Sequence, residues 1–474
     1  MPKFRVLVRV LVIAQVLAHI QPKAGNMNRN LKRTEVINRI LWLVPMVAVC
    51  AMLGCNGKQV ADSSQEETKV VDQSSGANDS ANNSTTASAI DERFAVATTQ
   101  EENDQRAAKI AAEITATLES SLAELKRKVE AGEGQQLANP VHVFIGDALK
   151  TIEAYPKSPA AFDVALSGLA YAKGPSRNQF MDYLLTEWPQ KLDHQKIASY
   201  LLKQVPDQSI ENFLRKSIAN APQGAGQARS MLAFKEYFDQ MPFFSDTVRK
   251  SEGLVEKLPA SQIEYIHTPR SPEQTREIEG YLQQVIDNYA DLKYQGGGMT
   301  DYKTYGEVAT HGLYELKNLN VGDVAPEISG EDLDGVAFNL SDYRGKVVLL
   351  DFWGHWCPPC RRMYPHERKF VQELSGLPFA LIGVNSDRDI ETAREAVLDD
   401  PLPWRNFWNG PLGRSGPISK QWNISAWPTF YLIDGKGVIR YKGVLGDDIR
   451  VAIETLMEET GHVVELTPVN MASR

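Results

Sequence analysis

Cys357 and Cys360, in the stretch Trp356-Cys-Pro-Pro-Cys360, are the residues of this chain best placed to do chemistry. They directly follow the apolar run Val347–Trp353, so they stand where a strand gives way to a helix. At this spacing the second sulfur lies one helical turn beyond the first and can close on it as a disulfide. Free N–H groups and a partial positive charge at a helix start favour the thiolate of Cys357. The pattern points to a redox pair. Zinc is the competing use of Cys-x-x-Cys, but a closed zinc site needs two more ligands. The chain has four cysteines, and the other two, Cys50 and Cys55, belong to an N-terminal apolar segment. The folded body therefore carries one pair, with no second pair to complete a zinc site or form a structural disulfide. The eight histidines show no ligand spacing.

The elements that must position this pair begin near residue 321. From there strand-like runs (Val347–Trp353, Phe379–Asn385, Thr429–Ile433, Val438–Lys442) alternate with helical ones (Pro359–Leu374, Ile390–Leu398, Asp447–Thr460). Asp434-Gly-Lys-Gly437 reads as a hairpin turn. Strands mixed with crossover helices predict an α/β sheet covered on both faces. Residues 101–320 instead carry helical periodicity. Ile110, Ile114, Leu118, Leu122, Leu125 and Val129 form one apolar stripe. Further helices are expected over Pro159–Ala172, Arg177–Trp188, Lys191–Gln204, Ala225–Gln240 and Pro272–Tyr289. The Tyr155–Phe162 stretch suggests a join in a tetratricopeptide-type array, but no regular 34-residue period emerges, which favours an irregular bundle. The aromatic residues of this region (Phe180, Tyr183, Trp188, Phe234, Tyr237, Phe238) read as core, and no chemistry is assigned to it.

The N-terminus carries two apolar stretches, Val6–Ile20 and Ile40–Leu53, both shorter than the roughly 18–20 residues of a membrane span. Basic residues before the second, and Gly54 before Cys55, read as an export signal. It resembles a bacterial lipoprotein signal with Cys55 lipidated, starting at Met1 or Met27; an uncleaved signal anchor is the alternative. Residues 56–100 are polar and poor in aromatics, as in a flexible tether. A net charge of −9 argues against nucleic-acid binding. The expected organisation is thus an export segment (1–55), a linker (56–100), an all-α domain (101–320), an α/β domain (321–465) and a tail (466–474).

Leu350-Asp-Phe-Trp-Gly-His-Trp-Cys-Pro-Pro-Cys360, Pro365 within the following helix, and Trp427-Pro428-Thr429 before a strand together resemble the thioredoxin superfamily. Val321–Pro326 and Leu340–Val347 look like its TlpA/ResA branch of membrane-tethered extracytoplasmic redoxins. The resemblance implies a thioredoxin-like C-terminal domain, a central mixed sheet with flanking helices. It implies Cys357 as attacking thiol, Cys360 as resolving thiol, Asp351 as the buried carboxylate that moves protons for Cys360, and Pro428 as a cis-proline opposite the sulfurs. Asp351 read without it is a strand-end acid facing water. Trp356, Trp427 and Trp353 are expected to line the substrate surface, with core packing the other reading of Trp353. His355 stands within reach of the motif, either as a charge that favours the thiolate or as a solvated loop residue.

Three positions depart from the family pattern. Two prolines between the cysteines leave only the Cys360 N–H for the Cys357 sulfur. Met363 stands where relatives often carry glutamate. Bulky Trp427 precedes the proline where smaller residues are common.

The implied function is extracytoplasmic thiol–disulfide exchange with partner proteins, in the reducing direction, without a separate cofactor or metal. Apocytochrome c or metal-centre assembly proteins are the implied substrates, and a membrane protein the implied electron donor. Two alternatives are a peroxidase of the alkyl hydroperoxide reductase type, and a tethered binding or sensor protein. The first wants a lone peroxidatic cysteine; the second would use the helical region to hold its partner.

Overall fold

Seven consecutive apolar or buried-type residues, Val347–Trp353, give the chain its central strand, every residue of which is buried. The computed structural model describes residues 91–130, 140–295, 301–443 and 446–469. The export segment with Cys55, and the tether up to residue 90, lie outside the described residues. Among the described residues no helix is long and apolar enough to cross a membrane.

These residues form two compact units. The first comprises residues up to Ala221 together with Glu236–Pro269. Its helices are α1 (Gln100–Glu130), α2 (Pro140–Ala154), α3 (Pro159–Tyr171), α4 (Gly174–Glu187), α5 (His194–Leu201) and α6 (Gln208–Asn220). There follow the end of α7 (Ala225–Asp239), then α8 (Met241–Lys250), α9 (Glu252–Val255) and α10 (Ala260–His267). The α1 stripe is buried at Ala107, Ile110, Ile114 and Leu118.

The irregular-bundle expectation needs correcting. α2, α4 and α6 begin at residues 140, 174 and 208, a step of 34 each time, and α3 and α5 begin at 159 and 194. α3 packs on α2, α4 and α5, and α4 packs on α2 and α6. Helices two apart thus stack on one another (α2 on α4, α3 on α5, α4 on α6), the packing of a helical-hairpin array. Phe180, Tyr237 and Phe238 are core here, as expected. A buried polar knot accompanies them. Arg177 pairs with Asp207, whose carboxylate also caps α6, and Tyr237 Oη donates to the Asp207 carbonyl at 2.7 Å.

The second unit comprises Pro222–Lys235 and the chain from Arg270 onward. Two helices open its main part, α11 (Pro272–Tyr289) and α12 (Tyr305–Asn318). The remaining elements are β1 (Ser329–Glu331), β2 (Ala337–Asn339), β3 (Val347–Trp353), α13 (Pro358–Glu373), β4 (Phe379–Asn385), α14 (Ile390–Asp399), β5 (Arg405–Trp408), α15 (Pro417–Gln421), β6 (Thr429–Ile433), β7 (Ile439–Lys442) and α16 (Asp447–Glu459). The main sheet runs β5-β4-β3-β6-β7. β3 is parallel to β4 and antiparallel to β6. It is the mixed α/β sheet that the alternation predicts. Val348, Leu350 and Phe352 face one apolar layer with Trp422 and Tyr431. Val347 and Leu349 face the other, formed by Met363 and Phe370 of α13 and Ile449, Ile453 and Leu456 of α16. The hairpin turn is present, with Gly437 at φ +83°.

Both expected borders of the α/β domain shift. Leu466 and Val469, placed in a tail, are buried in the second layer. At the other end the unit takes in α11, α12 and residues 222–235 rather than starting at 321. Glu315 of α12 shows why. Its carboxylate accepts from Lys235 Nζ at 2.8 Å, from Asn423 Nδ2 at 2.6 Å, and from Lys442 Nζ. Burial would raise the Glu315 carboxyl, but the two ammonium groups outweigh it and hold it well below the usual range. A half-buried carboxylate with two cationic partners fastens α12 to β7 and to the approach to β6.

Gly383 of β4 lies opposite Asp351 in the parallel pair. A Cβ there would fall 1.8 Å from Asn406 Oδ1 and 2.7 Å from Trp353 Nε1. Gly383→Ala is therefore expected to cost about 2–3 kcal/mol, by overpacking and by breaking the Trp353–Asn406 hydrogen bond. Urea denaturation of the full chain reads this, and a loss within experimental error would show that the backbone yields there.

Candidate active site

Cys357 occupies the N-cap of α13, and Pro358 fills the first helical position, where no N–H is needed. The Cys360 N–H donates to Cys357 Sγ at 3.2 Å, the one donor the two prolines leave. The sulfurs of Cys357 and Cys360 are joined as a disulfide, with Cα atoms 5.3 Å apart. Cys357 is only 2% exposed against 1% for Cys360. The surface over the pair belongs to Trp356, 37% exposed, and to exposed Pro358.

Trp356 is held from three sides. Its Nε1 donates to the Ser386 carbonyl at 3.3 Å, its ring meets Trp427 edge-on at 5.7 Å, and Arg414 sits 5.2 Å over it. Gly354 makes room, because a Cβ there would come 2.4 Å from Trp356 Nε1. Trp427 is itself buried, with Nε1 donating to Ser386 Oγ at 3.1 Å. Trp353 corrects the expectation of a substrate contact. It is fully buried, donates Nε1 to Asn406 Oδ1 at 2.8 Å and packs edge-on against Tyr364. No surface is left on it for a partner, so it is core. The His355 backbone N–H donates to Asp387 Oδ2 at 3.0 Å.

The Trp427–Pro428 bond is cis. Pro428 immediately precedes β6, whose first residue Thr429 registers with Phe352 of β3, so it lies at the motif end of the sheet.

Asp351 is buried on β3, not turned to water, with Glu367 of α13, also buried, as its charged-group neighbour. Burial pushes the Asp351 carboxyl up to about 8, and the Glu367 contact acts in the opposite direction. Burial and the neighbouring Asp351 push the Glu367 carboxyl well up. Sequence reasoning missed Glu367. Its signal was position: Met363, Glu367 and Phe370 follow helical spacing, and the two apolar members lie in the layer under the sheet. A lone acid inside such a stripe is bound to be buried.

The arrangement can hold a sulfur as thiolate at a helix start and close it on a second sulfur, and the strand that leads into the motif carries a buried, protonatable carboxyl. Among the described residues no cluster of His, Cys, Asp and Glu could hold a metal ion.

The AhpC/TSA family matches residues 321–442. Thiol-disulfide oxidoreductase ResA of Geobacillus kaustophilus is 30% identical over 137 residues, covering 28% of this chain and 74% of that protein. The thioredoxin-like protein YneN of Bacillus subtilis is 32% identical over 143 residues, covering 30% of this chain and 78% of that protein. Among solved structures, the thioredoxin domain of a thiol-disulfide oxidoreductase from Bacteroides vulgatus is 32% identical, with a TM-score of 0.28, and the match covers 29% of this chain and 98% of that domain.

Proposed function

Because the chain belongs, through its C-terminal domain, to the TlpA/ResA-like thiol-disulfide oxidoreductases of the thioredoxin superfamily, we propose that it works outside the cytoplasm as a tethered reductant of protein disulfides. The observation that carries this reading is the Cys357–Cys360 bond at the start of α13 with Asp351 buried behind it. In the dithiol form the Cys357 thiolate attacks a substrate disulfide, joins one substrate sulfur and releases the other as a thiolate. Cys360 then gives up its proton to Asp351 and attacks Cys357. The internal disulfide forms, and the second substrate sulfur leaves. One substrate disulfide is reduced, one dithiol is oxidised, and two protons follow the electrons.

Trp356 and Pro428 would frame the docking surface, with Trp427 shaping it from below. Substrates of the apocytochrome c or metal-centre assembly class fit a redoxin of this branch, and regeneration calls for a membrane electron donor. Tethering through residues 1–100, with Cys55 as the lipidated residue, supplies the location. The repeating helical unit would hold a partner protein. Disulfide exchange is favoured over the peroxidase reading because Cys357 has its partner one turn away.

The test of direction is the reduction potential of the full chain with Cys50 and Cys55 replaced by serine, equilibrated against glutathione. A value near thioredoxin's, about −270 mV, is expected. A value near about −120 mV, that of a strong oxidant, would reverse the direction.

A further inference from the structure

The motif end of the sheet-bearing unit gathers positive charge, although the chain as a whole carries a net charge of −9. Arg361, Arg362 and Arg388 are exposed and Arg414 partly so, and none of them has an ion pair among the described residues. By contrast, Arg368, Arg394, Arg405, Arg440 and Arg450 of the same unit each engage a carboxylate. On α13, Arg361 lies one turn beyond Cys357, and Arg362 one turn beyond exposed Pro358. Each therefore shares a helix face with a residue of the motif.

Arg414 is placed by a fixed turn, the single-turn helix Gly413–Ser415 between β5 and α15. The Gly413 carbonyl accepts from Asn409 Nδ2 at 2.6 Å. Asn409, itself buried, also donates to Ser419 Oγ at 2.7 Å and accepts from the Ile418 N–H at 2.9 Å. Gly413 has φ +57°, and a Cβ there would come 3.0 Å from the Ser386 carbonyl oxygen and 2.7 Å from Arg388 Cγ. The same Ser386 carbonyl accepts from Trp356 Nε1, so Trp356, Arg388 and the turn that carries Arg414 converge on one point. Arg414 sits over the Trp356 ring. A guanidinium lying on an aromatic face keeps its N–H edge free to fork a carboxylate. The acids nearby are already committed. Asp387 accepts from the His355 N–H and from Asn385 Nδ2, Asp389 caps α14, and Glu391 pairs with Arg394. Asp301, whose charge acts on Arg388, is paired with Lys303.

We propose that these arginines select substrate disulfides flanked by aspartate or glutamate, with Arg414 on Trp356 as the specificity-determining contact. This rests on the exchange reading above and adds the class of partner that the exchange takes. A partner's sulfur must reach Cys357 past Trp356 and Pro358, the exposed residues over the pair. An acidic side chain next to that sulfur finds Arg414 at Trp356, and Arg361 and Arg362 one turn along α13. A basic side chain meets only like charge, so selection has a repulsive arm as well. The arginines act on encounter and docking, which makes their effect sensitive to salt and leaves the bonds made and broken in the exchange as they are.

The test uses the reduced full chain with Cys50→Ser and Cys55→Ser, mixed in single turnover with two disulfide peptides. They differ only in the residues beside a Cys-Ala-Ala-Cys disulfide, glutamate in one and lysine in the other. The second-order rate constant of peptide reduction is expected to be about tenfold larger for the glutamate peptide at low salt, and the ratio to shrink toward one at about 0.5 M salt. Arg388→Gln with Arg414→Gln is expected to bring the low-salt ratio to about two or less, and Arg388→Glu with Arg414→Glu to invert it. Losing positive charge also weakens the Cys357 thiolate, but that slows both peptides alike and leaves the ratio unmoved. A parent ratio near one, or a ratio that the glutamine variant leaves unchanged, overturns the proposal. If the parent chain reduces neither peptide, the exchange reading falls and the proposal with it.

Discussion

Replacing Cys360 by serine is expected to stop exchange half-way, with the chain covalently joined to its substrate, whereas replacing Cys357 by serine stops it at the outset. The two sulfurs differ too little in burial for exposure to rank them. Their places on α13 do rank them. Cys357 at the N-cap receives the Cys360 N–H and the positive end of the helix, so its thiolate is the stabilised one. Cys360 lies inside the first turn and is buried. Cys357→Ser is therefore expected to lower disulfide exchange by at least about three orders of magnitude, the scale of losing a covalent nucleophile. Cys360→Ser is expected to accumulate one mixed disulfide per chain on a model disulfide peptide, counted by intact-mass spectrometry in the Cys50→Ser, Cys55→Ser background. An adduct that instead forms through Cys360 in the Cys357→Ser chain would exchange the roles.

The element pattern of the α/β unit was legible because its strands are buried on both sides and hence read as unbroken apolar runs. β3, β4 and β6 span the very residues that such runs predict. β5 (Arg405–Trp408) was not legible. It is a four-residue edge strand, and Arg405 spends its guanidinium on Asp332 at 2.6 Å rather than marking a boundary. Of the site, the cysteine pair could be read directly, whereas the burial of Asp351 followed from the family resemblance and not from its position alone. The Asp351–Glu367 contact could not be read, because it joins a strand to a helix 16 residues further on and depends on how α13 lies against the sheet. The helical repeat was nearly legible. Pro156, Pro189 and Pro222 recur at 33-residue steps, each just past the end of α2, α4 or α6. Proline after a helix end is ordinary punctuation, and the helix starts carry no shared residue to set the phase.

The buried acids also make a thermodynamic forecast, in which removal of a functional group stabilises the fold. Asp351 has its carboxyl pushed up to about 8 by burial, against about 3.9 in an unfolded chain. Between these values the native state holds a proton that the unfolded state has released. Stability is then fullest below pH 4 and falls as pH climbs toward 8. Asp351→Asn removes the acid while keeping its size. The variant should match the parent chain near pH 4 and exceed its stability by about 2–4 kcal/mol near pH 8. The slope that persists belongs to Glu367, and should vanish when Glu367→Gln is added. Urea denaturation across pH 4–9 measures this, followed by tryptophan fluorescence; Trp353, Trp356, Trp404, Trp408, Trp422 and Trp427 all belong to the sheet-bearing unit. A variant no more stable than its parent at pH 8 would mean that Asp351 ionises without penalty, through water reaching it from the motif end. The same substitution should slow the Cys360 step, because an amide cannot take up its proton. Stability gained where exchange is lost would identify the carboxyl as retained for proton transfer at the fold's expense.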